Sequence, residues 1–525
     1  MLDVIKKIKR MIRLKSVLQY LEQIEINNKE KIAIIEEEKK CTYKELVLNS
    51  KRIASGLIKY NNNKQPVAVL MEKGIDCLYS FLGTVYSGNF YTLLNPELPE
   101  FRLKKIIEIS ETQIIITNSE NYDLANMLCK EYSNINILKI EDLLQSKIDE
   151  NTLLEIRKRA LDVDPLYVNF TSGSTGNPKG VVVSHRSVID FINIFTNEFN
   201  INENDIVANQ APFDFDVSVK DIYSALKTGA TLLIVPKKLF SSPAKLLDYL
   251  CENNSTTLIW AVSALCLITT FHGLDYKVPE SVNKILFSGE VMPLKHIKQW
   301  MEHLPNATFV NVYGPTEITC NCTYHIVDKD LNYEKNIPIG KPFDNEDVYL
   351  LDENNNLITE NDKIGEICVR GTALALGYYN NKEQTDKNFV QNPLNNKYID
   401  LIYRTGDLGY IGKDNDFYFS GRKDFQIKHM GHRIELEEIE LEIQKIDNVK
   451  RVCCLYYEEK SKLYAFYIGD IDKKELRNIL SEKLPIFMIP NVIKQIEEFP
   501  LNKNGKIDRK ELLKSILEKK EGKNG

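Results

Sequence analysis

The sequence predicts an α/β protein. It reads as a large N-terminal domain of helix-covered β-sheets with a β subdomain, then a small α+β C-terminal domain. Three observations carry this reading. Short, fully apolar runs, VAVL (67–70), IIIT (114–117), ATLLIV (230–235), TTLIWAV (256–262) and KILF (284–287), are separated by helical lengths. That is the pattern of parallel strands buried on both faces. From about residue 337 the texture changes to VYLLD, GEICVRG and DFYFSGR, alternating segments with glycine turns that suit an antiparallel β subdomain. After Gly421-Arg422-Lys423-Asp424 comes a compact strand, helix, strand, strand, helix pattern ending in a basic tail. The predicted domains are therefore 1–423 and 424–525, joined near Asp424.

Taking the elements in order, MLDVIKKIKRMIRLK is basic and amphipathic but has neither a continuous apolar core nor a cleavage site, so it is not a secretory signal. It reads as a solvated helix, with contact at a membrane surface as the alternative. Lys51–Tyr60 and Leu246–Glu252 carry helical spacing between strands. The C-terminal pattern runs strand FQIKHM, helix ELEEIELEIQKI, strand RVCCLYYE, strand LYAFYIG and helix KKELRNILSEKL. With 525 residues, 43% apolar and 27% charged, the chain is globular and enzyme-sized rather than disordered. A net charge of −6 gives no electrostatic reason to expect nucleic acid. The ten cysteines make no CxxC pair, which argues against a disulfide framework or zinc site and fits a reducing, cytoplasmic compartment. No apolar run reaches the roughly 18 residues of a membrane span.

Between two apolar strands lies LYVNFTSGSTGNPKGVVV (166–183). Thr171, Ser172, Gly173, Ser174, Thr175 and Gly176 offer closely spaced N–H groups and hydroxyls with no bulky side chain, and Lys179 adds a point charge. Such a loop suits a polyphosphate. It is neither a Walker loop nor a dinucleotide fingerprint, and a flexible polar turn is the plain alternative.

The loop resembles the phosphate-binding signature of the adenylate-forming superfamily, closest to free-standing peptide-synthetase adenylation domains and D-alanine–carrier protein ligases. The resemblance continues in order through FDFDVSVKDIY (213–223), FSGE (287–290), NVYGPTE (311–317), GEICVRG (365–371) and YRTGDLG (403–409). It closes with SGRKDFQIKHMGHRIELEEIE (420–440) and LNKNGKIDRKEL (501–512). It implies ATP and Mg²⁺ as cofactors, with Glu317 holding the metal and the Thr316 hydroxyl on the α-phosphate. Tyr313 would stack on adenine and Asn311 would bond its amino group, with Gly289, Glu290, Gly314 and Phe419 also around the nucleotide. Asp407 and Arg422 would take the ribose, and Lys506 would stand between carboxylate and α-phosphate. Outside that context Glu317 reads as a helix cap, Asp407 as part of a surface turn and Lys506 as a solvated charge. Asp424 would be the hinge, after whose rotation the loop around His429-Met430-Gly431 replaces Lys506.

The resemblance also places a substrate pocket. Asp216 aligns with the aspartate that grips an α-amino group, which points to an amino acid because a buried carboxylate is costly without its cation. Phe215 flanks the carboxylate, and Val217, Lys220, Ile259, Leu286, Ser288, Val312, Gly314, Cys320 and Asn321 form the wall. Lys220 either pairs with an acidic substrate side chain or snorkels outward beside Asp221. The implied partner is a separate carrier protein with a phosphopantetheine arm, since no pantetheine-bearing serine motif follows NGKIDRKELL. Nucleic-acid binding and stable membrane insertion are not expected, and the chain reads as a monomer or weak dimer. An acyl- or aryl-CoA ligase and a non-catalytic nucleotide-binding relative are the alternatives.

Overall fold

The computed structural model describes residues 14–60, 63–173, 176–333, 336–501 and 507–514. The basic N-terminal segment through residue 13, Ser174, Thr175 and Lys506 lie outside the described residues. The chain divides into two compact units. The first comprises residues 1–95, 110–169 and 180–423; the second gathers 96–109, 170–179 and 424–525.

In the first unit the apolar runs form the strands expected of them: Pro66–Leu70, Ile114–Thr117, Thr231–Ile234, Thr257–Ala261 and Lys284–Ser288. They build two sheets, among the described residues nine- and seven-stranded. Their central pairings are parallel, as Ile259↔Leu286 and Leu286↔Val310 illustrate. Helices fill the space between the sheets. Ile75–Tyr86 is apolar almost all round and buries every residue but Asp76, as a helix covered on all sides must. Tyr43–Leu57 starts at a reciprocal Thr42/Glu45 capping box. The Lys51–Tyr60 helical segment is thus the end of a longer α-helix finished by a 3₁₀ turn at Ile58–Tyr60. Ile259, Leu286, Val310 and Val312 face one core, while Trp260, Ile285, Phe287 and Phe309 face another across the same sheet. The antiparallel β subdomain forms from Glu346–Leu351, Gly365–Gly371, the eleven-residue strand Leu401–Ile411 and Phe417–Arg422.

The second unit corrects the sequence reading in two places. FQIKHM does hold one strand, Gln426–His429, but that strand pairs antiparallel with a second one the reading lacked, His432–Glu435. Met430 and Gly431 turn between them with φ of 53° and 80°, the doubly positive geometry of a two-residue hairpin. A further strand, Val492–Gln495, pairs parallel with Lys462–Gly469; four residues of mixed polarity carry no clear alternation.

Gly340 joins the nine-stranded sheet to the β subdomain. Its carbonyl accepts the Phe417 N–H at 2.9 Å, and its φ is +84°. A Cβ there would lie 1.9 Å from the Tyr324 carbonyl oxygen. Gly340→Ala should therefore cost at least ~2 kcal/mol, combining a left-handed backbone with a steric clash. The measurement is the urea midpoint of the first unfolding transition, and an unchanged midpoint would refute the account.

Candidate functional site

Two neighbouring parallel strands carry candidate residues at and just past their carboxyl ends, as is general for α/β sheets. Strand Lys284–Ser288 delivers Gly289, with φ +98°, and Glu290; its neighbour Thr308–Tyr313 delivers Asn311, Val312, Tyr313 and Gly314. The Tyr313 hydroxyl donates to Asp407 Oδ2 at 2.5 Å, and Arg422 donates to Asp407 Oδ1. Burial pushes the Tyr313 phenol well above its ordinary range, with the Asp407 charge adding to the effect. Three residues expected around one nucleoside thus form a single hydrogen-bonded chain. Asp407 is not in a surface turn: it is 3% exposed, in mid-strand opposite Arg422. Phe419 sits on the neighbouring strand, opposite Gly409. Asn311 donates its amide to the Pro338 carbonyl at 2.7 Å.

Glu317 lies in the 3₁₀ turn Thr316–Ile318 and is 1% exposed. It is no helix cap; its Oε1 accepts from the Tyr378 hydroxyl at 2.7 Å. Tyr378 was missed by the sequence reading, because nothing in GYYNN marks a partner 61 residues away. Among the described residues no group of three or more His, Cys, Asp or Glu gathers as a metal site. One carboxylate, completed by phosphate oxygens and water, is nevertheless an arrangement Mg²⁺ accepts.

Asp216 stands at the head of helix Val217–Thr228, and its carbonyl accepts from the Cys320 thiol at 3.1 Å. Lys220, one turn on, is 1% exposed, which rules out outward snorkelling. Its Nζ donates to Asn321 Oδ1 at 2.6 Å. Asp216, Lys220, Cys320 and Asn321 therefore make one cluster, and Val217, Ile259, Leu286, Val312 and Cys320 share one apolar core, with Phe215 packed against it. Ser288, also buried, is the Cα partner of Ala261. Burial lowers the Lys220 pKa, while Cys320, Asp216 and Asp221 oppose that effect.

In the second unit Thr171 ends its strand, Ser172 donates to the Arg433 carbonyl at 2.7 Å, and Gly176 has φ +78°. Lys179 Nζ is 3.5 Å from Glu435 Oε1. Asp424 is exposed and accepts from the Gln426 N–H. Flanking the undescribed Lys506, Leu501 and Ile507 form a β-bridge, and Arg509 holds both Glu440 oxygens at 2.9 and 3.1 Å.

Residues 22–379 match the model of the AMP-binding enzyme family, and the chain belongs to that family. It is 32% identical over 95% of its length to surfactin synthase subunit 1 of Bacillus subtilis, of which it spans 14%. It is also 32% identical to the D-alanine–D-alanyl carrier protein ligase of Bacillus licheniformis, covering 92% of this chain and 96% of that protein. Among solved structures, the Vibrio cholerae adenylation domain AlmE, in complex with glycyl-adenosine-5′-phosphate, shares the fold with a TM-score of 0.85 at 22% identity. That likeness covers 97% of this chain and 99% of AlmE.

The cluster has a pH signature. Asp221, fully buried, has its pKa raised to about 7 by burial, against the opposing effects of Asn209, Lys220 and Lys73. A carboxyl whose folded pKa exceeds its unfolded one binds the extra proton in the folded state, so stability falls as pH rises from about 4 to about 7. Asp221→Asn should remove that loss, on the order of 2–4 kcal/mol across the window. Urea titrations at both ends of the range measure it; parallel curves for the two proteins would refute it.

Proposed function

We propose that this chain activates an amino acid at the expense of ATP and passes it to the phosphopantetheine thiol of a separate carrier protein. In the first step a substrate carboxylate oxygen bonds to the α-phosphorus and pyrophosphate leaves. In the second the thiol attacks the acyl carbonyl, the thiol proton is lost, and AMP leaves. Asp216 is given the α-ammonium, Asp407 and Arg422 the ribose, Tyr313 and Asn311 the adenine, and the glycine-rich loop with Lys179 the phosphates. Glu317 would hold Mg²⁺, which offsets phosphate charge when bound. Lys506 is assigned the charge that develops between carboxylate and α-phosphate, and Asp424 the hinge.

The observation that carries this reading is the placement of Asp216, a buried carboxylate at the head of a buried helix, in a chain that matches nearly the full length of a carrier protein ligase. A CoA ligase for acyl or aryl acids has no ammonium to meet it. The test is amino-acid-dependent pyrophosphate exchange on the wild type and Asp216→Ala. Activation of the preferred amino acid should drop at least ~100-fold, the scale of a lost buried charge partner, while its des-amino analogue loses far less. Equal losses would remove the amino-acid reading.

The same assay reads the side chain of the substrate. Lys220 is buried with the neutral Asn321 as its hydrogen-bond partner, and Asp216 in the same cluster is given to the α-ammonium, so a neutral side chain brings Lys220 no counter-charge of its own. An acidic side chain supplies one. Wild type should prefer glutamate or aspartate over glutamine and small neutral amino acids. Lys220→Met should shift that preference by roughly 1–3 kcal/mol toward uncharged side chains. Preference for a neutral amino acid by the wild type would overturn the acidic assignment and leave activation standing.

A further inference from the structure

In the second unit the phosphate-type loop is already engaged by carboxylates. Helix Leu436–Gln444 and its N-cap present Glu435, Glu438 and Glu442 on one face, at the i, i+3, i+7 positions of a helical stripe. Glu438 is divided between two donors: Oε1 accepts from Arg102, and Oε2 accepts the backbone N–H of Gly173 at 3.1 Å. Glu435 faces Lys179, and Glu442 lies 3.9 Å from Lys105, whose Nζ also bonds the Gly176 carbonyl at 2.9 Å. Lys179 of the loop, and Arg102 and Lys105 of helix Glu100–Ser110, thus meet three carboxylates, Glu442 being shared with Lys445 of its own helix at 2.6 Å; the Arg102–Glu438 pair is almost wholly buried, at 9% and 2% exposure.

Burying ion pairs is a poor way to gain stability, since desolvation consumes most of the attraction and apolar packing would serve better. What a carboxylate has that a methyl group lacks is the ability to stand where another anion stands. Glu438 takes a backbone N–H of the glycine-rich loop and an arginine together, the pair of donors that a phosphate oxygen would take. Gly173 makes the geometry specific: a Cβ there would lie 2.0 Å from the Asn177 carbonyl oxygen, so position 173 admits only glycine.

We propose that Glu438 is an intramolecular competitor for the polyphosphate on this loop. ATP or pyrophosphate displaces its carboxylate, and departure of pyrophosphate lets it return, so that occupancy of the loop and docking of helix Leu436–Gln444 exclude one another. The inference rests on the loop being the phosphate site of the proposed function. It makes pyrophosphate affinity lower than the bare loop would give, by the fraction of molecules in which the carboxylate has withdrawn.

The test is direct binding of inorganic pyrophosphate to the full-length protein by calorimetry, without amino acid, in wild type and Glu438→Gln. The amide still accepts from Gly173 but carries no charge, so pyrophosphate should bind roughly tenfold more tightly to the variant. Since Glu438→Gln leaves Arg102 without its counter-ion and could unsettle the fold, hydrogen exchange on the wild type supplies the second measurement. Saturating pyrophosphate should speed exchange in residues 436–444. Equal or weaker binding by a folded variant, or unchanged protection of the helix while pyrophosphate binds, overturns the competition. Normal pyrophosphate exchange alongside either result leaves the activation reading intact. Failure of pyrophosphate to bind either protein overturns the loop assignment and this inference with it.

Discussion

Much of the first unit depends on one constraint, the burial of helix Val217–Thr228 from Val217 to Leu226. Nothing on this helix from Val217 to Leu226 reaches solvent, although it carries Ser218, Lys220, Asp221, Tyr223 and Ser224. Each polar group must then find a partner within the protein or keep its desolvation cost. Ser218 bonds the Phe215 carbonyl at 2.7 Å, Asp221 accepts from Asn209 at 2.7 Å, and the Tyr223 hydroxyl meets that of Tyr91 at 2.9 Å. Lys73 in turn donates to the carbonyls of Asn209 and Gln210. Satisfying one helix thus ties two β-sheets and the segment after Ile206–Asn209 together.

The same constraint separates structural from chemical charge. Asp221 and Lys220 are sequence neighbours but lie in different hydrogen-bond sets, Asp221 with Asn209 and Lys220 with Asn321. Among the described residues Asp221 Oδ1 has no hydrogen-bond partner, and burial pushes its carboxyl toward the neutral form. An acid that holds its proton supplies little counter-charge to its neighbour. Lys220 therefore relies on the Asn321 oxygen, with the carboxyls of Asp216 and Asp221 opposing the effect of burial.

The strands and the glycine-rich loop were legible in the sequence because both depend on contiguous residues: fully apolar runs read as buried strands, and a polar, glycine-dense stretch between two of them reads as a loop. The ordered motifs made the adenylate-forming family legible too. Partnerships between distant segments were not. Tyr378 with Glu317, Asp407 with Tyr313 across 94 residues, and Arg102 with Glu438 across 336 have no local signal. Lys220 was ambiguous for the same reason, since a lysine beside an aspartate on a helix reads equally well as inside or outside until Asn321 is placed. The short strands His432–Glu435 and Val492–Gln495 were hidden by length; four residues are too few for a period to declare itself.

Asp407 occupies the middle of a strand laddered on both sides, opposite Arg422 on one neighbour and next to Leu408, which pairs with Glu366 on the other. Its carboxylate is further restrained by a tyrosine and an arginine from two other strands. The conformational freedom of this side chain is therefore surrendered when the sheet forms, not when a ligand arrives. A sugar diol meeting it would exchange one set of hydrogen-bond donors for another with little ordering of the receptor. Under the proposed function, ribose recognition at this position would be a swap of partners on a rigid ruler, appearing calorimetrically as enthalpy with a small conformational entropy cost.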